Sequence, residues 1–407
     1  MQQAKIIHEQ AVHDNKLLGQ ITLVTSLGDW LTYFALMKLA TDVSGSVIIG
    51  TLSIAMKSAA IAVGAVLIPM FVGVFPSRVI ILVAQWISAL LMGAVCLSIG
   101  NKFALPVSAI YATLFVQTIL KQLFDAARES HSKGLALTDA DHRPMQAEIL
   151  RGLFGAQFFG PLLAFVLLSK TPLWVPVLVD CLTFTLSGFL AFGIGPSHPT
   201  QSAIDPMRFL KPLKYLSKYP RLRDILVFRS VVFWIPNGLY NILLFQVVMH
   251  HYGRPLEHST LPYAALGLGA AAASLLLRHP MSEAKTWLGK RRDGTLACLA
   301  QIGFALSTLG FLVIPSFELA LVFVLVTGLA MGVNAISTQS LRRRLSTAEQ
   351  LPEVMGLELL IGRATDILVM TGMATALDRG ILSYQTGVFI AVAWFIVSGL
   401  LHLRFRE

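Results

Sequence analysis

The chain has 407 residues, of which 55% are hydrophobic and only 13% are charged, whereas a soluble domain carries about 25% charged residues. This composition excludes an ordinary array of soluble domains and is typical of a protein that crosses a membrane many times. A net charge of +10 would also suit a nucleic-acid-binding protein, but the basic residues lie between apolar segments in a pattern that indicates membrane topology instead.

Twelve apolar segments are each long enough to cross a bilayer as a helix, which takes about 20 residues. In chain order they lie near residues 17–40, 45–70, 79–99, 104–126, 144–168, 173–194, 224–249, 260–278, 294–314, 317–341, 353–377 and 382–402. The polar residues 1–16 lack the apolar core and cleavage site of a signal peptide. We therefore expect a short cytoplasmic tail followed by the first membrane helix.

Basic residues crowd the loops that follow the even-numbered segments. Those loops contain Arg78, Arg128, Lys133, Arg143, Arg208, Lys211, Lys214, Lys218, Arg221, Arg223, Lys285, Lys290, Arg291, Arg292, Arg342, Arg343 and Arg344. The opposite loops contain only Lys102, Lys170, Arg254 and Arg379. Because cytoplasmic loops are enriched in Lys and Arg, both termini are predicted to be cytoplasmic.

The longest polar interruption divides the chain almost in half. It is basic and has apolar residues at helical spacing, which is typical of a segment that lies along the inner membrane surface. We therefore predict an N-terminal six-helix bundle in residues 1–194, a cytoplasmic linker in 195–223 and a C-terminal six-helix bundle in 224–407.

The two halves of the sequence also echo each other at a constant offset of 210 residues. The matched pairs are Ser130 and Ser340, Leu135 and Leu345, Met145 and Met355, Glu148 and Glu358, Leu150 and Leu360, and Gly152 and Gly362. A duplicated half is typical of secondary transporters whose substrate site lies near the bilayer midplane. The echo predicts two pseudo-symmetric bundles.

Ionisable residues inside membrane helices are costly, so they are the first candidates for function. In the first half, Asp29 and Lys57 are placed near mid-depth by helix counting. They are either a fixed ion pair between neighbouring helices or part of a proton or substrate pathway. On the fourth segment Gln117, Lys121 and Asp125 share one face, and we expect the last two at the cytoplasmic surface.

The seventh segment carries Asn237, Tyr240 and Asn241 beside Pro236 and Gly238. Proline and glycine free backbone groups that bend the helix or bind a ligand. The polar and aromatic side chains are either a substrate lining or part of a kink that shapes packing. The eighth segment, LGLGAAAASLLL, is suited to close helix packing.

The eleventh segment carries Glu358, Arg363 and Asp366. Arg363 and Asp366 stand at i,i+3 and can pair within the helix, and the deeper Asp366 is the better proton carrier. We expect Glu358 to lie one turn inside the cytoplasmic boundary and to be wet. With its repeat partner Glu148 and the neighbouring Arg151, it is a candidate for an inner gate.

Three stretches resemble the major facilitator superfamily, in particular the branch of enterobactin exporters and drug-efflux proteins. They are SLGDWLTYFAL with the following TDVSGS, the linker FLKPLKYLSKYPRLRDIL, and GLELLIGRATD. The resemblance implies an all-α integral membrane protein with twelve transmembrane helices in two pseudo-symmetric bundles. It also implies proton-coupled export of an amphipathic small molecule, a siderophore or a drug, by a monomer in a bacterial-type inner membrane. The chain departs from the family between the second and third segments, where the usual acidic motif is missing and Arg78 remains.

Other functions stay open at this point. The first helix also resembles those of lysophospholipid transporters and of ferroportin-like metal exporters, in which Asp29 would be a metal ligand, and an importer of the same fold is a further alternative. No phosphate-binding loop, nucleophile motif or cysteine pair with metal-ligand spacing stands in the sequence. We therefore expect no enzyme, no cofactor, no resident metal and no nucleic-acid partner; the expected partners are the lipid bilayer, a small-molecule substrate and protons or another coupling ion.

The distribution of basic residues can be tested by thiol labelling. Cysteines introduced after residues 42, 170 and 255 should react with an impermeant maleimide from outside, and cysteines in the 195–223 linker should not. A cytoplasmic result at two of the three outer positions would contradict the twelve-helix topology.

Overall fold

The computed structural model describes residues 2–72, 74–103, 105–135, 142–196, 223, 231–232, 234–276, 293–345 and 351–402. Within these ranges the secondary structure is almost entirely helical. The helices of the first half are α1 (Gln2–Ser44), α2 (Val47–Thr51), α3 (Ser53–Phe71), α4 (Ser77–Gly100), α5 (Val107–Leu135), α6 (His142–Lys170) and α7 (Trp174–Ala191). Those of the second half are α8 (Trp234–Gln246), α9 (Thr260–Leu276), α10 (Asp293–Val313), α11 (Phe317–Leu345), α12 (Leu351–Asp378) and α13 (Tyr384–His402).

The helices correspond to the twelve predicted segments, with α2 and α3 together forming the second. A π-helical turn, Val247–His251, extends α8. Within the described ranges, nine spans are long and apolar enough by length and composition to cross a membrane. Each overlaps a segment that the sequence predicts to be transmembrane.

The first helix is longer than predicted. Residues 2–16, expected to form a polar tail, continue α1 from Gln2. The stretch contains neither Gly nor Pro, and it is anchored by packing, since Ala11 and Asp14 are buried. Asp14 accepts hydrogen bonds from Gln10 Nε2 at 2.8 Å and from the backbone N–H of Gly195 at 2.9 Å. The expectation of a free polar tail was wrong, because buried side chains and the bonds of Asp14 hold this stretch against the protein.

Helix α4 shows why these segments suit a bilayer. Its outward stripe consists of large apolar side chains that remain exposed on the folded protein, among them Val83, Ile87, Leu90 and Leu97. The opposite stripe, which includes Gln85 and Ser88, is buried against the rest of the protein. An exposed apolar stripe along a whole helix is unfavourable in water and favourable against lipid chains.

The chain forms two compact units. The first contains Met1–Ser46 and Ala59–Arg208, and the second contains Val47–Ser58 and Phe209–Glu407. The division runs through α3, so the short segment Val47–Ser58 clusters with the second unit although chain order assigns it to the first bundle. The predicted 195–223 linker lies almost wholly outside the described residues and stays a prediction.

The same packing pattern occurs inside both units. In the first unit α1 packs against α6 and α7, and α4 packs against α5 and α7. In the second unit α8 packs against α12 and α13, and α10 packs against α11 and α13. If α2 and α3 are counted as one helix, the first helix of each half packs against the fifth and sixth, and the third packs against the fourth and sixth. This is the pseudo-symmetry predicted from the 210-residue echo.

Close packing of α9 against α11 depends on glycines, as the small-residue run predicts. A Cβ atom on Gly269 would overlap the carbonyl oxygen of Leu325, and one on Gly328 would overlap the carbonyl oxygen of Leu266. Each helix therefore lays a glycine against the backbone of the other, which brings the two axes close together.

Gly269→Ala and Gly328→Ala should each lower the stability of the protein, by about 1–3 kcal/mol, because the added methyl group forces the backbones apart. The matched control is Gly372→Ala on α12, where an added Cβ would have no neighbour within 4 Å. Thermal unfolding in detergent should show a loss for the first two and no loss for the third. Equal effects at all three positions would contradict the close contact.

Candidate functional site

A network of charges joins α1 and α5 inside the first unit. Lys121 Nζ lies 3.7 Å from Asp29 Oδ2 and 3.0 Å from Asp125 Oδ1. It also donates a hydrogen bond to Ser26 Oγ at 3.2 Å. One ammonium group on α5 thus serves two carboxylates and a hydroxyl group.

Arg128 extends this network by one turn. Its NH1 atom lies 2.8 Å from Asp125 Oδ1 and donates to Thr22 Oγ1 at 3.2 Å. Both cations lie over the ring of Phe124, with Lys121 Nζ 4.9 Å and the Arg128 guanidinium carbon 5.5 Å from its centroid. Two cations and two carboxylates offset one another, which lowers the cost of keeping charge away from water.

Helical spacing places all these groups on facing stripes. Residues 22, 26 and 29 share one face of α1, and residues 121, 125 and 128 share one face of α5. The expectation that Lys121 and Asp125 lie at the cytoplasmic surface was wrong: the side chain of Lys121 is only 15% exposed and reaches α1. The predicted segment stopped at residue 126, whereas α5 continues to Leu135, so both residues lie well before the helix end.

Asp180 on α7 was missed by the sequence analysis. It is completely buried, and its Oδ2 atom accepts a hydrogen bond from the Thr32 hydroxyl of α1. Gly28 leaves room for it, since a Cβ atom there would overlap Asp180 Oδ1. The signal was available, because a single carboxylate inside the apolar stretch VPVLVDCLTF is a candidate by the same rule that selected Asp29.

A second polar stripe on α1 faces α4 and α7. The Thr25 hydroxyl donates to Ser187 Oγ at 2.9 Å, and Gln85 Oε1 lies 3.3 Å from the same hydroxyl. Thr32 follows seven residues after Thr25, with Gly28 between them. Helix α1 is therefore polar on two sides, one bonded to α5 and the other to α4 and α7.

Asp366 is the centre of the polar cluster in the second unit. It is completely buried and its Oδ2 atom accepts hydrogen bonds from Ser58 Oγ at 2.6 Å and from Arg363 NH1 at 3.2 Å. The predicted contact between Arg363 and Asp366 is therefore present. Ser58 was not predicted; it belongs to the segment Val47–Ser58 that clusters with this unit.

The position of Gly238 in the seventh predicted segment is explained by its contact with Asp366. A Cβ atom on Gly238 would lie 2.9 Å from Asp366 Oδ1, so a larger residue would press on the carboxyl group. Among the residues that the structure describes, Asp366 Oδ1 has no hydrogen-bond partner. One oxygen of this carboxyl group thus has two hydrogen-bond donors, and the other has no partner among the described residues.

The remaining candidates of α8 do not form one surface. Tyr240 is buried, packs its ring edge-on against Phe304 of α10 at 5.2 Å, and lines a small apolar space of about 10 Å³. Asn241 instead accepts a hydrogen bond from the Tyr263 hydroxyl of α9 at 3.4 Å. The side chain of Asn237 lies outside the described residues. The predicted polar and aromatic lining is therefore divided between two helix neighbours.

The gate candidates are only partly visible. Glu358 is buried, with 6% of its surface exposed, so the expectation that it is wet was wrong. The side chains of Glu148 and Arg151 lie outside the described residues. Lys57 belongs to the second unit and Asp29 to the first, and their pairing stays a prediction.

Two further expectations concern the inner loop and metals. Arg78, which remains from the degenerate motif, donates a hydrogen bond from NH2 to the carbonyl oxygen of Phe192 at 2.8 Å. It therefore binds the end of α7. Within the described ranges, no three His, Cys, Asp or Glu residues are grouped so that they could hold a metal ion.

The shared role of Lys121 can be tested by a double-mutant cycle. Lys121→Met should destabilise the protein because Asp29 loses a neutralising partner, and adding Asp29→Asn should recover part of the loss. We expect a coupling free energy of about 0.5–3 kcal/mol from chemical or thermal unfolding. The control cycle uses Lys38 and Asp42, a more exposed pair on α1 at 3.9 Å, where coupling should stay below about 1 kcal/mol. Strict additivity for Lys121 and Asp29 would show that the two do not interact.

No family model and no curated protein sequence matches this chain. Solved structures do match it along nearly its whole length. A mutant of the nucleoside transporter NupG has a TM-score of 0.69 at 14% identity, covering 98% of this chain and 100% of that one. A mutant of the peptide transporter POT in complex with alafosfalin has a TM-score of 0.72 at 11% identity, covering 95% and 93%. These structures are transporters rather than enzymes, and the likeness shows that the chain has the major facilitator fold, with twelve helices in two halves.

Proposed function

We propose that this protein is a secondary active transporter that exports an amphipathic small molecule, a siderophore or a drug, in exchange for protons. The observation that carries the proposal is Asp366, a completely buried carboxyl group with an arginine on one oxygen and no hydrogen-bond partner for the other among the described residues. We place the protein in a bacterial-type inner membrane with both termini cytoplasmic.

The fold supports secondary transport. Duplicated bundles of this kind carry solutes by alternating access, without binding ATP. The solved structures of the same fold include a nucleoside transporter and a peptide transporter, so the architecture accepts organic solutes of moderate size. The sequence contains no phosphate-binding loop of the ATP-driven kind, and an ion gradient is the natural energy source.

Asp366 has the surroundings of a proton carrier. Burial opposes its negative charge, whereas Arg363 and the Ser58 hydroxyl favour it. Opposing influences of this kind let a small change in packing alter the protonation state. When Asp366 is ionised, its second oxygen can accept a hydrogen bond from the substrate. When Asp366 takes up a proton, this acceptor is lost and the substrate is released, so proton and substrate bind alternately, as exchange requires.

The direction and substrate class rest on the resemblance of the first helix, the linker and the GLELLIGRATD stretch to exporters. The buried aromatic cluster supports an amphipathic substrate, since Phe304 packs against both Tyr240 and Phe395, at 5.2 and 4.0 Å. Such rings bind apolar and aromatic parts of a ligand, and hydroxyl groups beside them fix its orientation.

The proposal can be tested with purified protein in vesicles that contain a pH-sensitive dye. Four compounds should be added in turn: a catecholate siderophore, ethidium, a lysophospholipid and uridine. We expect one of the first two to cause proton movement that depends on the protein and opposes substrate movement. Proton movement with only the lysophospholipid or only uridine would contradict the proposed substrate class. Movement of protons in the same direction as the substrate would indicate an importer. Substrate transport without proton movement would contradict proton coupling.

Asp366→Asn should abolish substrate accumulation driven by a pH gradient and leave substrate-for-substrate exchange intact. The amide keeps the shape of the carboxyl group but cannot take up and release the coupling proton. The matched control is Asp378→Asn, an exposed carboxylate at the end of the same helix, which should transport normally. Full gradient-driven accumulation by the Asp366 variant would exclude this residue as the coupling site.

A further inference from the structure

If Asp180 is ionised, its negative charge is not neutralised by Lys121 or Arg128, which pair with Asp29 and Asp125. Asp180 is completely buried on α7, and among the described residues no Lys, Arg or His lies within ion-pair distance of it. Its two carboxyl oxygens lie within hydrogen-bond distance of two threonine hydroxyls, those of Thr32 and Thr183. An ionised carboxylate with only neutral partners is expensive in the middle of a membrane helix.

The hydrogen-bond donors and acceptors around the carboxyl group decide whether its ionised or its protonated form fits the site. Each threonine hydroxyl has one proton to donate and two lone pairs to accept with. The Thr32 proton points to Asp180 Oδ2. The Thr183 proton is best used within the helix, where the carbonyl oxygen of Asp180 lies 2.7 Å from Thr183 Oγ1, the usual bond of a helical threonine.

This assignment leaves Asp180 Oδ1 facing an oxygen without a proton between them. Oδ1 lies 3.2 Å from Thr183 Oγ1, and the hydroxyl proton is already committed to the backbone. If Oδ1 carries a proton, it donates to a free lone pair of Thr183 and every group in the cluster is satisfied. If it carries none, two acceptors face each other at a side chain that is completely buried, with Gly28 of α1 packed directly against it.

The charged groups near this site do not change the hydrogen bonds available to Asp180. On α1 the nearest is Asp29, which follows Gly28 in the sequence and already lies 3.7 Å from Lys121 Nζ of α5. From α4 the Thr32 hydroxyl meets the sulfur of Met92 at 3.4 Å, an uncharged neighbour. Residues 152–169 of α6 include no ionisable side chain.

We propose that Asp180 is a proton-binding site of the first unit, occupied at neutral pH as a carboxylic acid that donates to Thr183 and accepts from Thr32. The site depends on Gly28, which has no side chain and therefore allows the backbone of α1 to lie directly against the carboxyl group. It is separate from Asp366, which belongs to the second unit. Its occupancy does not depend on the identity of any substrate, so the site stands if the proposed transport function fails.

Infrared spectroscopy tests the proton directly. At pH 7 the wild-type protein should show a carboxylic acid C=O band that is absent from Asp180→Asn, whereas Asp42→Asn, which removes an exposed carboxylate of α1, should leave the band unchanged. Thr183→Val should shift the band, because the acid loses its acceptor. A band that is equal in wild type and Asp180→Asn would overturn the proposal.

Thermal unfolding provides a second readout. An asparagine can donate to Thr183 and accept from Thr32 as the acid does, so Asp180→Asn should unfold at the wild-type temperature, and Asp180→Leu should unfold at a lower one. A large loss for Asp180→Asn would indicate an ionised carboxylate with a cationic partner. Stabilisation of the wild type, but not of Asp180→Asn, by sodium chloride over choline chloride would indicate a sodium site. Either result would overturn the proposal.

Discussion

The structure depends on one constraint: a charge placed inside an apolar helix must be offset within its own unit. The first unit meets it with Lys121, which pairs with both Asp29 of α1 and Asp125 of α5, and with Arg128, which pairs with Asp125. The second unit meets it with Arg363, one turn before Asp366 on the same helix. Both arrangements bring cation and carboxylate close enough to reduce the cost of removing them from water, and the one around Lys121 also joins α1 to α5.

The halves share their packing but not their charges. Helices α6 and α12 occupy the same place in their units and are related by the 210-residue echo, yet the position on α6 that corresponds to Asp366 is Ala156. The first unit instead carries its carboxyl groups on α1, α5 and α7. A duplicated scaffold with different chemistry in each half is consistent with division of labour between substrate binding and coupling. The close contacts through Gly28 and Gly238 serve the same end in both halves, because each lets a helix backbone approach a buried carboxyl group.

Hydropathy was sufficient to predict the twelve helices, because length and apolarity decide which segments span a bilayer. The pair of Arg363 and Asp366 was also predictable, since helical spacing alone brings them together. Burial was not predictable: Lys121 was expected at the surface and Glu358 in water, and both side chains are largely buried against the protein. Ser58 could not be linked to Asp366 without the tertiary structure, as 308 residues separate them. Asp180 was predictable, because a single carboxylate inside an apolar segment is a functional candidate.

The central claim is that buried carboxyl groups couple solute movement to protons, and the substrate gradient at zero net flux tests it most directly. The measurement uses vesicles with the membrane potential held at zero and the compound that moves protons in the dye assay. For exchange of one proton per molecule, each unit of pH difference should change the balanced substrate ratio about tenfold, and for two protons about a hundredfold. A balanced ratio that does not change with the pH difference would contradict the account.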